Sequence, residues 1–242
     1  MSNESGFEYG ISDDESQETD EAHAGHNGNG NGNGHRLTPR MVAEQVLMWD
    51  IMPIPLTNRA DPKNVNRPAW EKERYTARDL DAFNDAIGVG FRLGHILDAE
   101  GNALTDRFAD ADLDTHEAVR CAEFYLPYTG MKWGRDNKPR SHWGYRLKSL
   151  DGAKSRQMTD PLRTSKDGGK DMICELRFSG HTVGPASYNV KEGLQPDLVR
   201  WEPDGDGPPS EVEFEKRLRS IWVDTAGADD ADAVEDLDDT EE

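Results

Sequence analysis

Cysteine is nearly absent from this 242-residue chain: Cys121 and Cys174 are the only two, far apart and outside any CxxC spacing. A disulfide framework and a structural zinc site are both excluded as organising devices. No run of 18 or more apolar residues occurs, so no transmembrane helix is expected. The N-terminus lacks the basic and apolar regions of a signal peptide, and a soluble, cytoplasmic protein is expected. Basic residues are missing from both ends. Residues 1–24 carry eight acids and residues 224–242 carry ten, with no Lys or Arg in either stretch. The tails therefore hold −18 of the formal charge of −20, and the middle of the chain is close to neutral. A near-neutral core can hold a local basic groove, so the overall charge does not exclude a phosphate-bearing partner. The tails suit a halophile's solvating coat, in keeping with 18 Arg against 10 Lys, better than an interaction arm or nucleic-acid mimic, because aromatic anchors are nearly absent from them.

Three regions follow from composition. Residues 1–36, including the run GHNGNGNGNGH, have no core-forming pattern and are expected to be a disordered acidic and Gly/Asn-rich tail. Residues 37–223 carry the periodic segments of one α/β or α+β domain, and 224–242 form a second acidic tail. Thr38-Pro39 supplies a helix cap and a first-position proline. WDIMPIPL reads as a strand, with Pro53 and Pro55 placing it at a sheet edge. Thr76 and Asp79 make a capping box for a short helix through Phe83. IGVGFRL is a strand whose glycines allow another backbone or a ligand to come close. A loop over 95–107 leads to a strand over 108–113, a helix over 115–124, a turn over 130–135 and a strand over 140–147. Residues 149–170 read as a polar loop. Further strands are expected at 172–178, 181–190 and 198–201. Pro209-Ser210 with Glu213 opens a final helix, with Phe214, Leu218, Ile221 and Trp222 as its packing stripe.

The chemistry concentrates in DADLDTHEAVRCAEFYLPYTGMKWGRDNKPRSHWGYRL, residues 110–147. Side chains at i and i+2 of a strand share a face, so Asp112 and Asp114 can converge on a cation, with Asp110 in the same series. Lys138, Arg140 and His142 can likewise line one face toward an anion. In MICELRF, Cys174, Leu176 and Phe178 form the core face, and Glu175 and Arg177 point the other way. Acids that hold a divalent ion, beside bases that hold phosphate, are the equipment of phosphoryl or nucleotidyl transfer. DxD alone is a weak signal in a chain with 48 acids, and the basic row alone could be a solvated face.

In order along the chain stand Pro53-Ile54-Pro55-Leu56, then Lys63 with Pro68-Ala69-Trp70, Ile87-Gly88-Val89, Asp112-Leu113-Asp114, Gly134-Arg135 with Lys138-Pro139-Arg140-Ser141-His142, Cys174-Glu175-Leu176-Arg177, and Thr182-Val183 with Pro185-Ala186-Ser187. This series resembles the bifunctional primase–polymerase (prim–pol) domain of the archaeo-eukaryotic primase superfamily, over about residues 42–201, with Ala186 in place of a second proline. The resemblance implies an α+β prim–pol fold: an RRM-like, mostly antiparallel sheet with a second small α/β unit across an active-site groove. It implies Asp112, Asp114 and Glu175 as ligands of Mg²⁺ or Mn²⁺. Lys138, Arg140, Ser141 and His142, with Arg135 and Arg177, would contact nucleotide, and Ser187 would assist nucleotide or template binding. The implied partners are a single-stranded DNA template, NTP or dNTP substrates, and a replicative helicase or primase C-terminal module on another chain. Only one expected helix and an acidic tail follow the core, so either de novo priming needs a partner or the chain only extends primers. The rival class is a non-catalytic replication accessory that binds nucleotide or single strands, with Trp133, Trp143 and Tyr145 as stacking surfaces. A DxD glycosyltransferase would leave the KPRSH row and Glu175 unexplained.

Overall fold

A computed structural model describes residues 36–58, 61, 63–65, 67–98, 101–148, 155–164, 170–189 and 196–213. The chain begins with helix α1 (Pro39–Leu47), where the Thr38 hydroxyl accepts a hydrogen bond from the Met41 amide at 3.3 Å. Strand β1 (Pro53–Leu56) follows. Two short 3₁₀ helices (Trp70–Lys72 and Ala77–Phe83) lead to β2 (Gly88–Arg92), and the second has the expected reciprocal Thr76–Asp79 cap. β1 and β2 pair antiparallel, and β9 (His181–Val183) joins β2 on its other side. This three-stranded sheet leaves β1 at an edge, as its prolines require. The β2 glycines serve close approach. A Cβ on Gly88 would lie 2.5 Å from the Ser187 hydroxyl, and that hydroxyl accepts from the Val89 amide at 2.8 Å.

The larger sheet contains β3 (Gly94–Leu97), β4 (Ala103–Leu113), β5 (Met131–Arg135), β6 (Lys138–Lys148), β7 (Arg156–Thr164), β8 (Lys170–Arg177), β10 (Tyr188–Asn189), β11 (Asp197–Asp206) and β12 (Ser210–Glu213). Its order is β10-β11-β5-β6-β4-β8-β7, with β3 beside β4 and β12 beside β6. Every pairing is antiparallel except β12 on β6. The architecture is mixed α and β with mostly antiparallel sheets, as expected for an α+β chain.

Helix α2 (His116–Tyr125), capped by Thr115, covers one face of this sheet. Its Ala118 and Ala122 pack with Ala109, Ala111, Leu113, Trp143, Tyr145, Cys174 and Leu176 in one apolar core. The opposite face meets α1 and the small sheet: Phe108, Met131 and Trp133 pack with Val42, Val46, Val89 and Phe91 in a second core. The alternation of β4 thus divides its residues between two cores, odd numbers to α2 and even numbers to the small sheet.

Four stretches depart from the sequence reading. The loop expected over 95–107 contains β3 and the start of β4, because the β3–β4 pairing gives those backbones partners. The turn expected over 130–135 is β5, paired on both sides. The polar stretch 149–170 contains β7, whose mixed composition reflects an outer strand with little to bury. The helix expected from Ser210 is replaced over 210–213 by β12, where β6 offers a backbone edge at Tyr145–Lys148 that β5 does not reach. Phe214, Leu218, Ile221 and Trp222 lie outside the described residues, as do the tails.

The turn between β5 and β6 fixes where His142 falls, and Gly134 is central to it. A Cβ at Gly134 would lie 2.6 Å from both the Arg140 nitrogen and the Lys138 oxygen, backbone atoms that no rotamer change can move. Gly134→Ala is therefore expected to destabilise the protein by about 1–3 kcal/mol, read as a lower urea midpoint with an unchanged m-value.

Candidate functional site

Three adjacent strands build the site. On β4, Asp112 lies directly opposite His142 of β6 on one side and Glu175 of β8 on the other. One pair further in, Asp110 lies opposite Gly144 and Arg177. Opposed residues of an antiparallel sheet share a face. Two rows result: His142–Asp112–Glu175 and Gly144–Asp110–Arg177. Gly144 leaves room for the core: a Cβ there would lie 2.7 Å from the Met131 sulfur and 3.1 Å from the Phe108 ring.

Asp110 is completely buried. Arg177 Nη2 donates to its Oδ2 at 2.7 Å, and His142 Nδ1 lies 3.1 Å from the same oxygen. His142 Nδ1 is also 3.6 Å from Asp112 Oδ1, and Arg177 Nη2 is 3.2 Å from Asp112 Oδ2. Burial works to raise the Asp110 pKa, but the charges of His142 and Arg177 outweigh it and hold the carboxyl below its usual range. Burial works to lower the His142 pKa, and Asp112 and Asp110 together raise it instead. The face that carries these groups is thus a compensated set of two acids and two bases rather than a bare acidic patch.

The small sheet reaches into this set. Arg177 Nη2 donates to the Thr182 hydroxyl of β9 at 3.1 Å, and Trp133 Nε1 donates to the Val183 carbonyl at 3.0 Å. The Trp133 ring stacks on the His142 imidazole at 5.2 Å with 9° between planes, which fixes the imidazole's orientation. Among the described residues, Asp110, Asp112 and His142 form a group whose ligand atoms lie within 4.8 Å of one another, close enough to hold a metal ion.

The other sequence-derived candidates divide. Glu175 shares the row of Asp112, but its carboxylate accepts from Gln157 Nε2 of β7 at 3.0 Å. Asp114 follows the end of β4. Its pKa is raised by burial and then by Asp112, and Lys138 Nζ is 4.0 Å from its Oδ1. Lys138 Nζ also donates to the Leu113 carbonyl at 2.7 Å and the Asp114 carbonyl at 3.3 Å. Arg140 takes a left-handed backbone conformation, φ 54°, which interrupts the strand's alternation. Its guanidinium is bound by Glu123 at 2.7 Å and Asp204 at 3.0 Å, and its amide by Glu202 at 2.8 Å. The expected single row of Lys138, Arg140 and His142 is therefore not formed, and His142 is the member that meets Asp110 and Asp112. Ser141 is fully buried, and its hydroxyl has no hydrogen-bond partner among the described residues. Arg135 is half-buried, and its side chain makes no hydrogen bond or ion pair among the described residues. Ser187 joins the small sheet through Val89. Trp133, Trp143 and Tyr145 are all buried, so none is available as a stacking surface for single strands. Sequence reasoning gave Thr182 a place in the motif series but no role, because it is an ordinary β-branched strand residue, and it missed Gln157, which sits on a strand that reads as a loop.

No family model matches this chain, and no curated protein or solved structure matches it either. None of the described helices is long and apolar enough to cross a membrane.

Asp110→Asn removes one charge of a buried set and leaves Arg177 and His142 facing a neutral amide. The expected cost is about 3 kcal/mol near neutral pH. The Asp110 pKa is lowered on folding, so its contribution is complete above the unfolded carboxyl value near ~3.9 and is lost as pH falls through the folded value. The His142 pKa is raised, so its contribution is complete below its unfolded value near ~6.5 and fades as pH rises through the folded value. Urea unfolding across acid pH should show a shallower acid limb in Asp110→Asn than in wild type.

Proposed function

We propose that this chain is a template-directed nucleotidyltransferase, a DNA primase/polymerase that extends or initiates strands on single-stranded DNA from NTP or dNTP substrates. The observation that carries this reading is the convergence of Asp110, Asp112 and His142 from two adjacent strands, with Glu175 opposite Asp112 on a third, on the face that meets a second, smaller sheet. The motif series and its resemblance to prim–pol domains support it from the sequence side.

The residues fit a divalent cation. Asp110 and Asp112 supply carboxylates and His142 an imidazole, a mixed donor set that first-row ions such as Mn²⁺ accept, whereas Mg²⁺ favours oxygen donors and would rest on the acids alone. Such an ion supplies charge neutralisation at phosphate oxygens and acidification of an attacking hydroxyl. Glu175 and Asp114 flank Asp112 as further acids for a second ion. Arg177 fixes Asp110 and Asp112 from the far side. Trp133 holds the His142 ring flat. Arg135, whose side chain makes no hydrogen bond or ion pair among the described residues, is a cation available to substrate phosphate.

The rival reading, a non-catalytic nucleotide or single-strand binding accessory, draws on one observation: Arg140 is already bound by acids, so the basic row is thinner than the sequence suggests.

Two measurements test the proposal. Labelled NTP or dNTP should be incorporated on single-stranded template, with or without primer, in the presence of Mn²⁺ or Mg²⁺. Asp112→Ala with Asp114→Ala should lower incorporation by ~1000-fold or more, and unchanged activity in that variant rules the assignment out. Separately, Mn²⁺ at a hundred times its Kd should stabilise the wild type by about 2.7 kcal/mol. Thermal denaturation with and without chelator should show that gain abolished by Asp112→Asn.

A further inference from the structure

Arg74 and Arg92 are two guanidinium groups that the fold brings together without an acid. Arg92 ends β2, and Arg74 lies in the connection between the two 3₁₀ helices. Nη1 of Arg92 donates to the Glu71 carbonyl at 2.9 Å and the Glu73 carbonyl at 3.4 Å. Nη1 of Arg74 donates to the same two oxygens, at 3.0 and 2.8 Å. Backbone carbonyls carry only partial charge, so two full positive charges are anchored side by side with no acid paired to either among the described residues.

The nearby carboxylates do not relieve them. Glu73 is occupied by a two-pronged pair with Arg67, at 3.1 and 2.7 Å, and by the Tyr75 hydroxyl at 2.7 Å. Glu71 is exposed and forms no ion pair among the described residues. Burial and then the Arg74 charge push the Arg92 pKa down to about 10, with no acid opposing them. Nε and Nη2 of both arginines make no hydrogen bond among the described residues.

Two half-used guanidinium forks held together match the oxygens of a phosphoryl group, which takes paired N–H donors. We propose that Arg74 and Arg92 form a phosphate-binding site beside the small sheet, separate from the Asp110–Asp112–His142 cluster. The ligand is a phosphoryl group: a backbone phosphodiester of single-stranded nucleic acid, or a free phosphate. The first source rests on the nucleic-acid reading above, and the second does not.

The test uses the full chain in chelator, so that it reads binding without nucleotidyl transfer. Anisotropy of a fluorescein-labelled oligothymidylate is followed over a range of NaCl for wild type, Arg74→Gln, Arg92→Gln and Arg74→Lys. In parallel, inorganic phosphate is compared with chloride at matched ionic strength for its effect on thermal unfolding. If the ligand is a strand phosphate, both Gln variants bind the oligonucleotide about tenfold more weakly, the salt slope falls by ~0.7 for each phosphate no longer neutralised, and Arg74→Lys retains most of the affinity. If the ligand is free phosphate, the stabilisation by phosphate disappears in the Gln variants and oligonucleotide binding is unchanged. Wild-type behaviour of Arg74→Gln in both assays overturns the proposal. Arg74 is exposed, so that variant decides the matter even where Arg92→Gln unfolds. A chain inactive in nucleotide incorporation can still pass this test, which separates the two proposals.

Discussion

The burial of an ionised Asp110 is the constraint on which the rest of the site depends. A carboxylate with no solvent access is tolerated only where cations replace its water. Arg177 from β8 and His142 from β6 do so here, one on each side of β4. That requirement fixes β4 between those two strands in a single register, because a slip of one residue would send Asp110 into the apolar core under α2. It also makes β9 necessary, since Thr182 shares the Arg177 guanidinium. Electrostatic pairing therefore aligns the large sheet and ties the small one to it, and the same alignment delivers Asp112, His142 and Glu175 as one row.

Much of this is legible in the residues. Thr38-Pro39 and Thr115 start helices for local reasons that tertiary structure does not oppose. The alternation of Phe108, Asp110 and Asp112 against Ala109, Ala111 and Leu113 marks a strand with two different faces. The i+2 pattern of Cys174, Leu176 and Phe178 does the same for β8, and all three are buried. What the chain cannot display is relative placement. By spacing alone Asp110 ranks behind Asp112 and Asp114, because burial depth depends on which strands flank β4 and not on local pattern.

The remaining departures have a common cause. Arg140 fits a β pattern by composition, yet acids from α2 and β11 hold it, and its backbone turns left-handed to reach them. Ser210 and Glu213 fit a helix start, yet an open stretch of β6 backbone binds that segment as a strand. In both cases a partner distant in sequence outweighs a local preference worth less than about 1 kcal/mol per residue. Local signals specify the elements whose neighbours are indifferent to them, and fail where a distant backbone edge or charge competes.

The outer strand β7 carries a consequence for how copies of this chain behave toward each other. It closes one side of the nine-stranded sheet with Leu162 almost fully exposed, a combination that ordinarily invites another chain to add a strand. Pro161 sits immediately before Leu162 and has no N–H to donate, while Asp160 and Arg163 flank the pair with charge. An incoming strand would forgo a ladder bond at the proline and meet charge on either side of the leucine. The edge is thereby a poor template for cross-β growth.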